Sequence, residues 1–143
     1  MTRMSQGMKE RRLLLRARPT ILVVEKDVAI RELLLEILEA EGFEALSAGD
    51  GPGALDLARR DEQRIDLLLT EANPRGMRVQ ELTGELYRRH ARIKILFMAG
   101  NFDDEFAFML GEQAKRLFLL KPFTRQTLLH RINDILSCGF APR

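Results

Sequence analysis

Two apolar stretches of the chain end in charged residues. Residues 65–70 are followed by Glu71, and residues 21–24 are followed by Glu25-Lys26-Asp27. A carboxylate at the C-terminal end of a buried parallel strand lies where open α/β sheets place their ligand sites. Ligand binding is therefore the chemistry that these residues suggest, and Glu71 is the residue to explain. The alternative is that Glu71 caps a strand and faces solvent, as an isolated acid usually does.

The rest of the chain contains no pattern that predicts catalysis. Arrangements of the Ser-His-Asp, Cys-His, metal-ligand or phosphate-loop type do not occur. The two histidines, His90 and His130, are far apart in sequence and predict no metal site. The single cysteine, Cys138, cannot form an intramolecular disulfide, which is typical of a reducing cytosol. We therefore expect no enzyme activity, no catalytic residue, no cofactor and a cytoplasmic location.

Strand-like and helix-like patterns alternate along the chain. Apolar runs predict strands at residues 21–24, 43–47, 65–70, 93–98 and 117–120. Apolar residues at helical spacing predict helices after Asp27, at residues 52–60, 79–87 and 103–114, and after Thr124. Asp27 and Thr124 are suited to cap their helices, and Gly42 to end the first one.

This (βα)₅ alternation predicts an α/β fold, a parallel sheet between two layers of helices. In the flavodoxin-like, doubly wound strand order 2-1-3-4-5, the first and third strands are neighbours at the switch point. Glu25, Lys26 and Glu71 would then share one shallow pocket with Ala99 and Lys121, which follow the fourth and fifth strands.

Composition divides the chain into a folded body and two short ends. The 143 residues are 45% hydrophobic and 31% charged, which is typical of one globular domain. We assign this domain to residues 20–137 and a tail to residues 138–143. Residues 1–19 contain six basic residues and one acidic residue, and we expect them to form a basic, flexible arm. No apolar run is long enough to cross a membrane, so we expect no membrane partner.

Four blocks of the sequence carry a resemblance to a known family. They are ILVVEKDVAIR at residues 21–31, DLLLTE at 66–71, ILFMAG at 95–100 and FLLKPF at 118–123. In this order and spacing they resemble the receiver domains of bacterial two-component response regulators, over about residues 20–137. The resemblance implies the flavodoxin-like fold and a place in signal transduction and phosphorelay.

The same resemblance assigns a role to each pocket position. The family's pair of acids becomes Glu25 and Lys26, and its phosphorylatable aspartate becomes Glu71. Its Thr or Ser after the fourth strand becomes Ala99, and only its lysine, Lys121, is unchanged. The proline of the following loop also stands one place early, at Pro74-Arg75-Gly76, which puts in doubt the backbone carbonyl near Asn73 that would bind the metal.

These differences predict that phosphorylation is lost. Phosphoryl transfer needs a positioned nucleophile and a cation that neutralises the transferring oxygens. Lys26 replaces a metal ligand with a positive charge, Glu71 extends into the space of the phosphoryl group, and Ala99 removes a hydroxyl. We expect an ammonium group of Lys26 or Lys121 to pair with Glu71 instead.

Two expectations concern signalling. We expect Phe118 to be buried in every ligand state, beside the small Ala99, so that the domain is held in one conformation; the alternative is an ordinary core phenylalanine. We expect a protein partner, either a histidine kinase, an output protein or a second copy of the chain, on the surface of the fourth helix, fifth strand and fifth helix. That surface would use Phe102, Phe106, Phe108, Lys115, Arg116, Arg125 and Arg131.

Three interpretations follow. The preferred one is an atypical receiver, or pseudo-receiver, which is not phosphorylated and acts through protein–protein interaction. The second is a conventional Mg²⁺-dependent phosphoacceptor with an unusual site. The third, least favoured, is a nucleic-acid-associated protein that uses the basic arm.

Overall fold

A computed structural model describes residues 18–60, 64–101, 111 and 114–137. The strands are β1 (Thr20–Val24), β2 (Glu44–Ala48), β3 (Leu67–Glu71), β4 (Lys94–Ala99) and β5 (Phe118–Leu120). The helices are α1 (Val28–Ala40), α2 (Gly51–Arg60), α3 (Val79–Arg89), the short α4 (Ala114–Leu117) and α5 (Arg125–Ser137). Within these residues, no helix is long and apolar enough to cross a membrane.

The five strands form one parallel sheet in the order β2-β1-β3-β4-β5. This confirms the predicted flavodoxin-like order. The register pairs Val24 of β1 with Thr70 of β3, and Glu71 of β3 with Met98 of β4. Glu71 is therefore the last residue of its strand and Glu25 directly follows the neighbouring strand, so both acids lie at the same edge of the sheet.

Alternating side chains of the sheet face two apolar layers. On one face, Leu22, Leu68 and Ile95 pack with residues of α2 and α3. On the other face, the α1 residues Leu34 and Leu38 and several residues of α5 pack against the sheet. Burial on both faces explains why the central strands are almost entirely apolar.

Capping residues define the ends of the helices as the sequence predicts. The Asp27 side chain accepts a hydrogen bond from the Ile30 N–H at 3.1 Å, which caps α1. The Thr124 hydroxyl accepts one from the Thr127 N–H at 3.0 Å at the start of α5. Gly42 follows the last turn of α1 with a φ of +94°, a conformation that favours glycine.

One predicted residue has a different environment from the one expected, and one predicted helix lies mostly outside the described residues. Tyr87 belongs to α3 as predicted, but 44% of it is exposed, because the apolar stripe of this helix is formed by Val79, Leu82 and Leu86. The fourth helix predicted at residues 103–114 lies mostly outside the described residues.

Candidate functional site

Backbone hydrogen bonds bring the ends of four strands together. The Ala72 N–H donates to the Met98 carbonyl at 2.8 Å, and the Lys121 N–H donates to the Ala99 carbonyl at 2.8 Å. Together with the β1–β3 register, these bonds place the residues after β1, β3, β4 and β5 around one pocket. This is the edge of the sheet where the switch point lies.

Glu25 is the most deeply buried charged residue of the pocket, with 1% of its surface exposed. Its Oε1 lies 2.6 Å from the Lys121 ammonium nitrogen, which donates a hydrogen bond to it. Its Oε2 accepts a hydrogen bond from the Asp27 N–H at 3.1 Å. A buried carboxylate requires such partners, because an isolated charge in a low-dielectric interior is strongly disfavoured.

Glu71 is also buried, with 6% of its surface exposed. Its Oε1 accepts a hydrogen bond from the backbone N–H of Lys26 at 2.8 Å. Its Oε2 lies 3.7 Å from the Lys26 ammonium and 4.0 Å from the Lys121 ammonium. The alternative in which Glu71 faces solvent is therefore wrong, because the side chain turns into the pocket between two cations.

The two lysines differ in how firmly they are held. The side chain of Lys121 is 24% exposed, and its short contact is with Glu25. The side chain of Lys26 is 52% exposed. Among the ion pairs of the described residues, its ammonium takes part only in the one with Glu71. The sequence did not distinguish these lysines and did not pair either with Glu25. The structure assigns the close pair to Glu25 and Lys121, and Glu71 lies at a longer distance from both ammonium groups.

The four side chains form a cluster whose formal charges cancel. Each of the four carboxylate oxygens has a hydrogen-bond donor or an ammonium group within 4.0 Å. In the described part of the chain, no group of three or more His, Cys, Asp or Glu residues is placed to hold a metal ion. The donor set therefore fits Mg²⁺ poorly: an ion that prefers several oxygen ligands would meet two resident ammonium groups.

Phe118 is buried in β5, three residues before Lys121, with 4% of its surface exposed. It belongs to the apolar layer against which Ala99 packs. Its backbone carbonyl accepts a hydrogen bond from Arg131 Nη1 at 2.8 Å. The ring is buried in this structure, as expected, and the prediction for other ligand states stays a prediction.

Comparison with known proteins agrees with this geometry. The family model described as "Response regulator receiver domain" matches residues 21–133. This chain belongs to the response regulator receiver domain family. It is therefore a receiver domain of two-component signalling, and receiver domains are signalling modules that interact with kinases and output domains.

Individual relatives give the same picture. The receiver is 32% identical over 120 residues to the aerobic respiration control protein ArcA of Escherichia coli K12, covering 83% of this chain and 49% of that protein. It is 30% identical over 118 residues to the sensor kinase CckA of Brucella abortus, covering 82% of this chain and 12% of CckA. The chain thus spans half or less of these curated relatives.

Solved structures extend the likeness to the fold. The chemotaxis response regulator CheY4 of Vibrio cholerae superposes with a TM-score of 0.68 at 25% identity, covering 82% of this chain and 98% of that one. The receiver domain of the hybrid histidine kinase CckA superposes with a TM-score of 0.68 at 29% identity, covering 82% of this chain and 99% of that one.

The receiver pocket also contains contacts that the sequence did not indicate. Arg31 Nη1 donates to the Glu25 carbonyl at 2.7 Å and lies 2.9 Å from the position that a Cβ would take at Gly49. Arg31 thereby connects the loop after β1 with the loop after β2. Arg31 lies in the first turn of α1, and an arginine at a helical position gives by itself no sequence signal for this contact.

The loop after Glu71 packs against the start of α2. The Gly51 N–H donates to the Arg75 carbonyl at 2.9 Å, and a Cβ at Gly51 would overlap the Met77 side chain. Gly76 has a φ of +90° and lies against Pro52. These contacts hold the loop that follows Glu71 in place.

The predicted interaction surface is only partly described. Arg116 and Arg125 are exposed, whereas Arg131 is half-buried and bonded to the Phe118 carbonyl. The other predicted members of this surface are outside the described residues or have undescribed side chains: Phe102, Phe106, Phe108 and Lys115.

Proposed function

We propose that this receiver domain signals without phosphorylation and acts as a protein-interaction module. The observation that carries the proposal is the charge cluster, in which Lys26 and Lys121 neutralise Glu25 and Glu71. An internal ammonium performs the neutralising role for which phosphoryl transfer requires a metal cation. The carboxylate of Glu71 has no need of an added ligand.

The proposal includes the expectation that the pocket binds Mg²⁺ weakly. A metal at this pocket would have to displace Lys121 from Glu25, where the nitrogen–oxygen distance is 2.6 Å. It would also experience repulsion from Lys26, whose ammonium is 3.7 Å from Glu71 Oε2. Desolvating Mg²⁺ is itself costly, so a site with two competing cations offers little net gain.

Among the described residues of the pocket, the position that carries a Thr or Ser in the family is occupied by an alanine. Ala99 carries no hydroxyl, and Phe118 is already packed in the apolar layer beneath it. With no hydroxyl at position 99 to move toward a ligand, the domain keeps one conformation and presents one surface. Its partner is a protein that recognises this fixed surface, of the kinase or output-protein kind with which receiver domains interact.

Amide NMR of the full chain, with and without Mg²⁺ and beryllofluoride, tests the proposal. Beryllofluoride is a phosphoryl mimic that binds a carboxylate only beside a metal ion. We expect no change at the amides of Glu25, Glu71 and Lys121. Saturable shifts clustered at these residues would support the second interpretation, a working phosphoacceptor, and would refute ours.

A restored pocket provides the positive control. The triple variant Lys26→Asp, Glu71→Asp, Ala99→Thr supplies the acid, the shorter nucleophile and the hydroxyl that the chain lacks. We expect Mg²⁺ and beryllofluoride to shift the variant's pocket amides. A matched variant with only Ala99→Thr should stay silent, because it leaves both ammonium groups in place.

A further inference from the structure

His90 connects the end of α3 to the residues just before β3, at the edge of the sheet away from the charge cluster. Its backbone follows the last residue of α3, and its N–H donates to the Leu86 carbonyl at 2.7 Å. Its ring nitrogen Nδ1 accepts a hydrogen bond from the backbone N–H of Ile65 at 3.3 Å. One side chain thus joins a helix end to the start of the central strand of the sheet.

This hydrogen bond requires a neutral ring. A backbone N–H can only donate, so Nδ1 must be deprotonated and the ring proton is assigned to Nε2. Nε2 is buried and makes no hydrogen bond with the described residues. The Ala58 carbonyl, which favours protonation of the ring, already accepts a hydrogen bond from Arg89 Nε at 3.2 Å. A second ring proton would therefore point at the Ile65 N–H, and the resulting cation would be poorly paired at both nitrogens.

The carboxylates near this contact have other partners. Asp66, which favours protonation of His90, pairs with Arg64 Nε at 2.9 Å and accepts a hydrogen bond from the Thr20 N–H at 2.8 Å. Glu85 of α3 has two arginine partners, Arg59 at 3.9 Å and Arg88 at 3.4 Å. Among the ion pairs of the described residues, neither carboxylate pairs with His90.

The adjacent cation acts against protonation. Arg89 also donates from Nη2 to the Arg59 carbonyl at 3.0 Å, so its charge is held between α3 and the end of α2. Burial, and then this charge, lower the pKa of His90, and the Ala58 carbonyl and Asp66 oppose the change only in part. Arg92, in the turn after α3, is exposed.

We propose that the hydrogen bond between His90 and Ile65 is an acid-sensitive connection between α3 and the central strand. Proton uptake at Nδ1 places two N–H groups against each other, so the ring leaves the contact. Ile65 is 2% exposed, and its N–H would lose its acceptor in a buried position, which is disfavoured. The turn after α3 is affected too, because the Ile93 N–H donates to the His90 carbonyl at 2.9 Å. The opening is independent of the charge cluster and of the proposed function.

Nitrogen-15 NMR of the histidine rings of the full chain tests the first step. At about pH 7.5, above the ordinary histidine pKa of about 6.5, we expect Nδ1 of His90 to be deprotonated and Nε2 to carry the proton. The opposite tautomer would overturn the proposal, because the Ile65 N–H would then have no acceptor on the ring.

Amide hydrogen exchange tests the opening itself. The protection factor of the Ile65 amide should fall by up to about tenfold for each pH unit below about 6.5, because the opening is coupled to the uptake of one proton. This exchange should not depend on urea between about 0 and 1 M, because a local opening exposes little surface. The amides of Leu22 and Leu96, which lie within β1 and β4, should exchange faster as urea is added, because they require global unfolding. An Ile65 amide that depends on urea as they do, or whose protection ignores pH, would overturn the proposal.

His90→Asn retains the acceptor without the titration. The side-chain oxygen of asparagine takes about the position of Nδ1 and accepts from the Ile65 N–H, but it binds no proton in this pH range. We expect the protection of Ile65 in this variant to be independent of pH. His130→Asn, which changes an exposed histidine of α5, is the matched control and should leave the pH dependence unaltered. A pH dependence that persists in His90→Asn would belong to another group and would also overturn the proposal.

Discussion

Replacing Lys121 with methionine tests the charge cluster most directly. The variant keeps most of the side-chain length and removes the ammonium that lies 2.6 Å from Glu25. Glu25 is 1% exposed, so its carboxylate would keep only the Asp27 N–H as a described hydrogen-bond donor. Removing one partner of a buried ion pair typically costs about 3–5 kcal/mol.

The expected loss lies near the lower end of that range. The Lys121 side chain is 24% exposed, so water already reaches part of the pair and would hydrate the carboxylate in the variant. We expect Lys121→Met to reduce the free energy of unfolding by about 3 kcal/mol. Urea denaturation followed by circular dichroism at neutral pH measures this value.

Lys26→Met is the matched control from the same pocket. Its side chain is 52% exposed and its ammonium is 3.7 Å from Glu71, so we expect a loss of about 0–1 kcal/mol. Adding Glu25→Gln to Lys121→Met should recover part of the lost stability, because the buried charge is gone, with a coupling energy of about 1–3 kcal/mol. Equal losses for the two lysine variants, or no recovery in the double variant, would refute the assignment of the close pair.

Three further predictions concern other parts of the fold. Burial, and next the charge of Arg89, lower the pKa of His90, so that on acidification the unfolded chain binds a proton at this residue before the folded chain does. The contribution of neutral His90 to stability should therefore be complete above the ordinary pKa of about 6.5 and decrease as the pH falls below it. Urea midpoints measured across this range should depend less on pH in a His90→Gln variant. Asp27→Ala removes the side-chain acceptor that caps α1 and should cost about 1 kcal/mol in urea denaturation. Gly76→Ala should destabilise the domain by about 1–3 kcal/mol, because Gly76 has a φ of +90° and its Cβ would lie 2.8 Å from the Pro52 ring. Gly84→Ala should stabilise it by about 0.5–1 kcal/mol, because Gly84 lies within α3 and has open space around it. The melting temperatures of the two variants should therefore shift in opposite directions.

The fold could be predicted because its determinants are local and periodic. The apolar run that ends at Glu71 marks a buried strand, and Asp27 and Thr124 mark helix starts by their capping chemistry. Parallel strands separated by helices then leave few topologies. The ends of the elements depend on the hydrogen-bond ladder: the pattern predicts a third strand that ends at Thr70, and the ladder also includes Glu71 in β3.

The membership of the pocket could also be predicted, but its pairing could not. Strand order places Glu25, Glu71 and Lys121 at one edge whatever their side-chain conformations. Which oxygen meets which ammonium depends on differences of an ångström or two between flexible side chains, as in the 2.6 Å and 4.0 Å distances from one Lys121 nitrogen. The role of Arg31 also depends on tertiary contact, here with the carbonyl of Glu25.

The pairing changes what Lys121 implies about activity. Taken from the resemblance alone, this lysine is the one unchanged pocket residue and favours a working phosphoacceptor. In the structure, however, it neutralises a carboxylate that is 1% exposed, and this role requires no phosphoryl group. A buried acid that loses its only close cation destabilises the native state whether or not the site performs chemistry. The presence of Lys121 therefore carries no weight for phosphorylation, and that question depends on Lys26, Glu71 and Ala99.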